Sequence, residues 1–298
     1  MKPDFQSVVD DLVPGRHGDG ASYRDYKLYV PPGADPRARP LVVMLHGCGQ
    51  NPDDFAAGTA MNEIARALGF VVLYPAQLEQ ANSQGCWNWF KHNHQVRGRG
   101  EPALLASMTR EVMAQLSVDP DRVYVAGLSA GGAMAAILGD TYPDIYAAVG
   151  VHSGLATGVA QDLPSALNAM KSGGGAGTRG TRGAASGVAT IAFHGDADTT
   201  VNPANSNQII MASAGMSSSV DVEPMQGAQG AGELPSTRRV YRAQDGRVVA
   251  EHWVVHGAEH AWSGGNAMGS YTEPRGPDAS AEMVRFFMAN PRRQSPDR

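Results

Sequence analysis

Three short stretches of the chain carry residue types that can together perform acyl transfer. The first is GLSAGG from Gly127, a G-x-S-x-G pentapeptide around Ser129, whose hydroxyl can attack a carbonyl carbon once a base takes its proton. The second, FHGDADTTV from Phe193, offers two carboxylates, Asp196 and Asp198. The third, VVHGAEHAWSG from Val254, offers two imidazoles, His256 and His260. The chemistry needs a histidine within hydrogen-bond reach of the serine hydroxyl. It also needs a carboxylate that orients the other ring nitrogen and stabilises the imidazolium. With the serine first in the chain, the acid and then the base are expected downstream, in the order found here.

Within each pair one residue fits better. His256 belongs to a strand end and reads as packed or bonded to backbone, whereas His260 lies deeper in its loop. Asp196 is placed to cap the turn after Gly195, whereas Asp198 stands just before Asn202 and Pro203, which read as the cap and first residue of a helix. Ser129, Asp198 and His260 are therefore the expected nucleophile, acid and base. His46, His152 and His194 also fall at strand ends, but without carboxylates or cysteines at metal-ligand spacing, so they read as structural. Neither a metal nor a cofactor is expected.

These residues need a scaffold that points them at one place. VYVAGL before Ser129 is a buried-strand run and AGGAMAA after it a small-residue helix start. A tight turn between them would strain Ser129 and aim the first backbone N–H groups of the helix at the same spot. Residues 41–45 and 71–74 are further continuous apolar runs, of the kind that suits strands buried on both faces of a parallel sheet. Residues 55–68 and 102–116 repeat apolar positions at helical spacing between the strands. Residues 146–151, 190–194 and 252–255 read as later strands and 278–288 as a C-terminal helix, while 23–30, ending at two prolines, reads as an edge strand. The class is α/β, with a doubly wound, mostly parallel sheet and helices on both faces.

Composition bounds the rest. The 298 residues carry no break in composition and no internal repeat, which suits a single catalytic domain over 1–298. With 24 Lys plus Arg against 29 Asp plus Glu, a net charge of -5 and no basic tract, a nucleic-acid partner is not expected. The start, MKPDFQSVVDDLVPG, has neither a leader's apolar core nor a membrane span, so the chain as it stands reads as cytoplasmic, or as secreted or periplasmic if a leader has been removed. A Gly-rich stretch at 173–187 reads as a surface loop, either a lid or a plain linker, and 227–232 as a linker.

With the motifs LHGCGQNPDDFAAGTAMN from Leu45, CWNWF from Cys86, GEPALL from Gly100, GLSAGGAMA, YPDIYAAVGVHSG from Tyr142, HGDADTTV and GAEHAWSGG, the chain resembles the poly(3-hydroxybutyrate) depolymerase family of serine esterases. These are relatives of feruloyl and acetylxylan esterases in the α/β-hydrolase superfamily. The resemblance runs from Tyr23 to Phe287 and implies the same three catalytic residues, Ser129, Asp198 and His260. It also implies an oxyanion hole formed by the backbone N–H groups of Cys48 and Ala130. The two cysteines, Cys48 and Cys86, both fall in family motifs and are expected to be bridged across the mouth of the site. Trp87, Trp89 and Trp262 lie nearest the motifs and read either as an apolar wall that binds an acyl or alcohol group or as core packing, with Trp262 rather seating the histidine loop.

The expected partner is a small ester, oligoester or polyester. Short-chain 3-hydroxyalkanoate esters come first and feruloyl or acetylated xylan esters second, with soluble or amorphous polymer taken in preference to crystalline material. A binding module built on an inactive enzyme is the competing class, and the intact serine, aspartate and histidine set argues against it.

Overall fold

The computed structural model describes residues 12–18, 23–32, 38–173, 188–215, 219–225 and 232–292. Its centre is six parallel strands, in the spatial order β4 (Val71–Pro75), β3 (Arg39–Leu45), β5 (Val118–Leu128), β6 (Ala148–His152), β7 (Ala189–Gly195) and β10 (Val248–Val255). Two antiparallel strands extend each side: β2 (Arg24–Tyr29) and β1 (Leu12–His17) beyond β4, and β9 (Ser236–Arg242) and β8 (Ser219–Met225) beyond β10.

The apolar runs are continuous because successive side chains serve two cores. Leu41, Val43 and Leu45 point to one face with Val123 and Val125, while Val42 and Met44 point to the other with Tyr124, Ala126 and Leu128. The first face is covered by α3 (Gly100–Gln115), α4 (Ala130–Thr141), α5 (Leu163–Ser172) and α6 (Ala204–Ala214). The second is covered by α1 (Pro52–Thr59), α2 (Met61–Leu68) and α7 (Ala279–Ala289), whose Met283, Phe286 and Phe287 are fully buried. Each large apolar side chain sealed this way contributes roughly 1.5–3 kcal/mol, which holds the central strands at a fixed register.

Two sequence expectations are corrected. Residues 55–68 are two helices, parted at Ala60 in the left-handed conformation (φ 50°). Strand β2 is not at the edge, because β1 pairs along its whole length. Strands β8 and β9 were not anticipated. They carry many polar residues and are tied by Arg242–Asp221 and Arg238–Glu223 ion pairs, so neither presents an apolar run. Of the Gly-rich stretch at 173–187, only Gly173, the left-handed cap of α5, lies among the described residues. The 227–232 stretch likewise lies outside them apart from Gly232.

Candidate active site

The chain leaves β3 toward β4 on one side and returns to β5 on the other, so the C-terminal ends of β3 and β5 open a crevice where the winding reverses. Open α/β sheets bind ligands at such a point. The loop after β3 holds His46 to Gln50, and β5 ends directly in Ser129.

Ser129 sits at φ 56°, ψ -116°, a conformation that costs a non-glycine residue on the order of 1–3 kcal/mol. Its neighbours explain why the turn can be this tight. A Cβ on Gly131 would collide with the carbonyl oxygens of Leu45 and His46, and one on Gly127 with the backbone of Gly131. The two glycines thus let the start of α4 press against the end of β3. Ser129 N–H donates to the carbonyl of His152 (2.8 Å), while the N–H of Ala130, in the first turn of α4, has no carbonyl of its own helix to reach.

The β3 loop is held with one donor to spare. Gly47 N–H donates to Gln50 Oε1 (2.9 Å), Gly49 N–H to the carbonyl of Gln84 (2.9 Å) and Gln50 N–H to the carbonyl of Gly47 (3.3 Å). Among the described residues the N–H of Cys48 has no partner. Gln50 Nε2 reaches on to Asp54 and Ser270, which braces this loop against the segment beyond His260. Behind it, Gln77 N–H donates to His46 Nε2 and Trp87 Nε1–H to the carbonyl of His46.

The Cys48–Cys86 disulfide closes the same loop onto the next one. Protein purified without reductant and then denatured should show no titratable thiol, and two after reduction. Two reactive thiols before reduction would contradict the bridge.

Asp198 and His260 come together from separate loops. His260 Nδ1–H donates to Asp198 Oδ2 at 2.7 Å, and Asp198 Oδ1 accepts the N–H groups of Thr200 and Val201 at 2.8 Å each. Burial by itself would raise the Asp198 pKa. The N–H groups of His194 and His260 outweigh it and hold this carboxyl well below the usual range, so it stays an anion at neutral pH. The other two candidates form a pair of their own: His256 Nδ1 lies 2.7 Å from Asp196 Oδ2, and Asp196 Oδ1 accepts Gly257 N–H. That pair is 41% and 42% exposed, against 12% and 0% for His260 and Asp198. His256 is therefore neither packed nor bonded to backbone through its ring, contrary to the sequence reading. It bonds a surface carboxylate and Thr237 Oγ1.

The three tryptophans are enclosed. Trp87 is 0%, Trp89 6% and Trp262 1% exposed, and the ring N–H of Trp262 donates to Ser280 Oγ. Enclosure to this degree accords with the packing alternative for these residues. What the sequence reading missed is a polar hub behind them. The buried carboxylate of Glu101, the acid of the GEPALL motif, accepts bonds from Gln77 Nε2, Asn88 N–H and Asn88 Nδ2 and so ties the CWNWF loop to α3. Its position in the first turn of a helix was the available signal.

Buried neutral histidines support this region. Burial lowers the pKa of His46 to about 4, that of His252 to about 3 and that of His152 well below its ordinary value. Below the ordinary value of 6.5 the unfolded chain takes up protons that the folded chain refuses, so stability falls as pH falls. At pH 5 the loss is on the order of 2 kcal/mol for His46 and for His252. The melting temperature should drop steadily between pH 7 and pH 5, ahead of carboxylate titration, and a Tm flat across that interval would refute this account.

A parallel sheet wound on both faces, with a strained serine between β5 and α4 and an Asp–His pair on the loops after β7 and β10, defines the α/β-hydrolase class. Within that class the chain belongs to the esterase PHB depolymerase family, whose model matches residues 24–239. It is 32% identical over 246 residues to poly(3-hydroxyalkanoate) depolymerase C of Paucimonas lemoignei, covering 78% of this chain and 57% of the relative. It is 34% identical over 150 residues to feruloyl esterase B of Thermothelomyces thermophilus, covering 50% of each. The chain thus spans about half the length of these curated relatives. Among solved structures, an acetyl xylan esterase from Aspergillus awamori superposes with a TM-score of 0.68 at 18% identity, over 93% of this chain and 99% of that one, a likeness of fold.

Proposed function

We propose that this protein is a serine esterase that cleaves carboxylic esters through an acyl-enzyme on Ser129. The observation that carries the reading is the Asp198–His260 hydrogen bond, on loops at the same end of the parallel strands as the elbow serine. In this mechanism His260 takes the Ser129 hydroxyl proton through its Nε2 as Oγ attacks the ester carbonyl, and Asp198 stabilises the imidazolium that results. The carbonyl oxygen, now negative, is stabilised by the N–H groups of Cys48 and Ala130. His260 then returns the proton to the leaving alcohol, activates a water in the same way and frees the acid.

The substrate class we favour is short-chain 3-hydroxyalkanoate esters, poly(3-hydroxybutyrate) or its oligomers. Support comes from the family and from the name of the relative aligned over 78% of this chain. Feruloyl and acetylxylan esters are the second reading, supported by relatives bearing those names. Acid release from 3-hydroxybutyrate oligomers and amorphous polymer, measured beside methyl ferulate and acetylated xylan, decides between them. At least tenfold higher kcat/KM on the hydroxybutyrate substrates is expected, equivalent to about 1.4 kcal/mol in the transition state. Preference for ferulate or xylan would transfer the assignment to the second class.

A further inference from the structure

His152 ends β6 and belongs to none of the three catalytic positions, yet both the nucleophile and the base loop rest on it. Its carbonyl accepts the N–H of Ser129 at 2.8 Å. Its ring nitrogen Nε2 accepts the N–H of Ser263, three residues beyond His260, at 3.0 Å. The face of the ring lies against Trp262, two residues beyond His260, with centroids 5.1 Å apart and planes at 28°, and against Phe193 of β7 at 5.8 Å. A backbone N–H can only donate, so Nε2 must be the bare nitrogen, and the ring proton is assigned to Nδ1, which lies 3.1 Å from Ser153 Oγ.

We propose that His152 is a positioning residue for the reaction, setting the separation of Ser129 and His260 by bonding the elbow through its carbonyl and the base loop through Nε2. This inference rests on the Ser129, Asp198 and His260 reading above.

A packing role alone would be met by any aromatic ring, and three features call for an acceptor here. Ser263 is buried, and without Nε2 its N–H would be left unpaired at a cost of roughly 1–3 kcal/mol. Ser263 also ends β11 (Trp262–Ser263), which pairs with β12 (Thr272–Glu273), a pairing that turns the chain back toward the Ser270 contact with Gln50. The bond to His152 therefore seats the whole base loop rather than one side chain. Finally, the acceptor must stay uncharged, because His194, His260 and Asp198 all face it. Burial keeps the ring neutral; a proton on His260 would oppose charging it further, and the Asp198 carboxylate works the other way. A cationic ring at this place would lose the Ser263 bond and oppose the positive charge that His260 takes up in each half-reaction.

The test compares His152→Phe, which keeps an aromatic ring but offers no acceptor, with His152→Gln, whose side-chain oxygen reaches about as far as Nε2. Kinetics on p-nitrophenyl butyrate should show kcat for His152→Phe down by roughly 30- to 100-fold with KM within about twofold, since a misplaced base slows the chemical step more than binding. His152→Gln should recover to within about fivefold of the wild type. Equal impairment in both variants, or a wild-type kcat in His152→Phe, overturns the proposal.

Ser129→Ala is measured alongside. If it keeps activity, the catalytic reading has failed. If it is inactive while His152→Phe is fully active, only the present inference has. A second measurement needs no variant. In wild-type protein labelled with nitrogen-15 histidine, the His152 resonances should report an Nδ1–H ring with a hydrogen-bonded Nε2 from pH 8 to pH 6. An Nε2–H ring overturns the proposal, whether or not His152→Phe folds.

Discussion

Ser129→Ala should lower esterase turnover by about 10⁴-fold or more while the protein keeps its fold and melting temperature within a few degrees. Both halves follow from the elbow. The fold of this turn does not depend on the hydroxyl: the N–H of residue 129 bonds the His152 carbonyl, its own carbonyl accepts Ala133 N–H, and the small neighbours Gly127 and Gly131 make the close approach to β3 possible. Alanine can occupy the same strained conformation at similar cost. The chemistry, by contrast, loses its only covalent step, because neither His260 nor the oxyanion donors can replace Oγ. Circular dichroism and p-nitrophenyl butyrate hydrolysis on the same preparation make the comparison. Activity above about a tenth of the wild type would place the nucleophile elsewhere.

Asp198→Asn should cost on the order of 10³- to 10⁴-fold in kcat, whereas Asp196→Asn should stay within about threefold of the wild type. The carboxylates lie two positions apart and each accepts a bond from a histidine at 2.7 Å, so distance does not separate them. Burial and charge do. The Asp198 side chain is fully enclosed and anionic, and it faces the imidazole that, in the proposed mechanism, becomes cationic as Ser129 attacks the ester. Its attraction acts through little water and is only weakly screened. An asparagine there either offers an N–H to His260 Nδ1, favouring the wrong tautomer, or accepts without a charge. Asp196 and His256 are both about two-fifths exposed, and an ion pair in that setting is worth about 0–1 kcal/mol. Parallel kcat measurements on the two variants decide it, and equal losses would show that the exposed pair takes part in catalysis.

Much of this arrangement is written locally. The strands β3, β4 and β5 are legible because a strand buried on both faces must be apolar at every position, and no other use of a run such as LVVML is as economical. The elbow is legible for a similar reason: Gly127 and Gly131 answer to collisions within a few residues of themselves and with one neighbouring strand. Asp198 and His260 could be narrowed to two short loops because chain order and strand ends limit where acid and base can stand.

What the sequence could not decide depends on partners far away in the chain. Ala60 takes a left-handed conformation that alanine does not advertise, imposed where α1 and α2 must both lie against one face of the sheet. Strands β1, β8 and β9 take their form from pairing with a neighbour, and pairing leaves little trace in a polar segment. Trp87, Trp89 and Trp262 have the composition of a binding wall, yet the tertiary structure closes over them, because burial is a property of what surrounds a side chain. His152 shows the same limit most plainly. From sequence it is one more histidine at a strand end. Only the folded chain brings Ser129, 23 residues before it, and Ser263, 111 residues after it, onto opposite ends of the same residue.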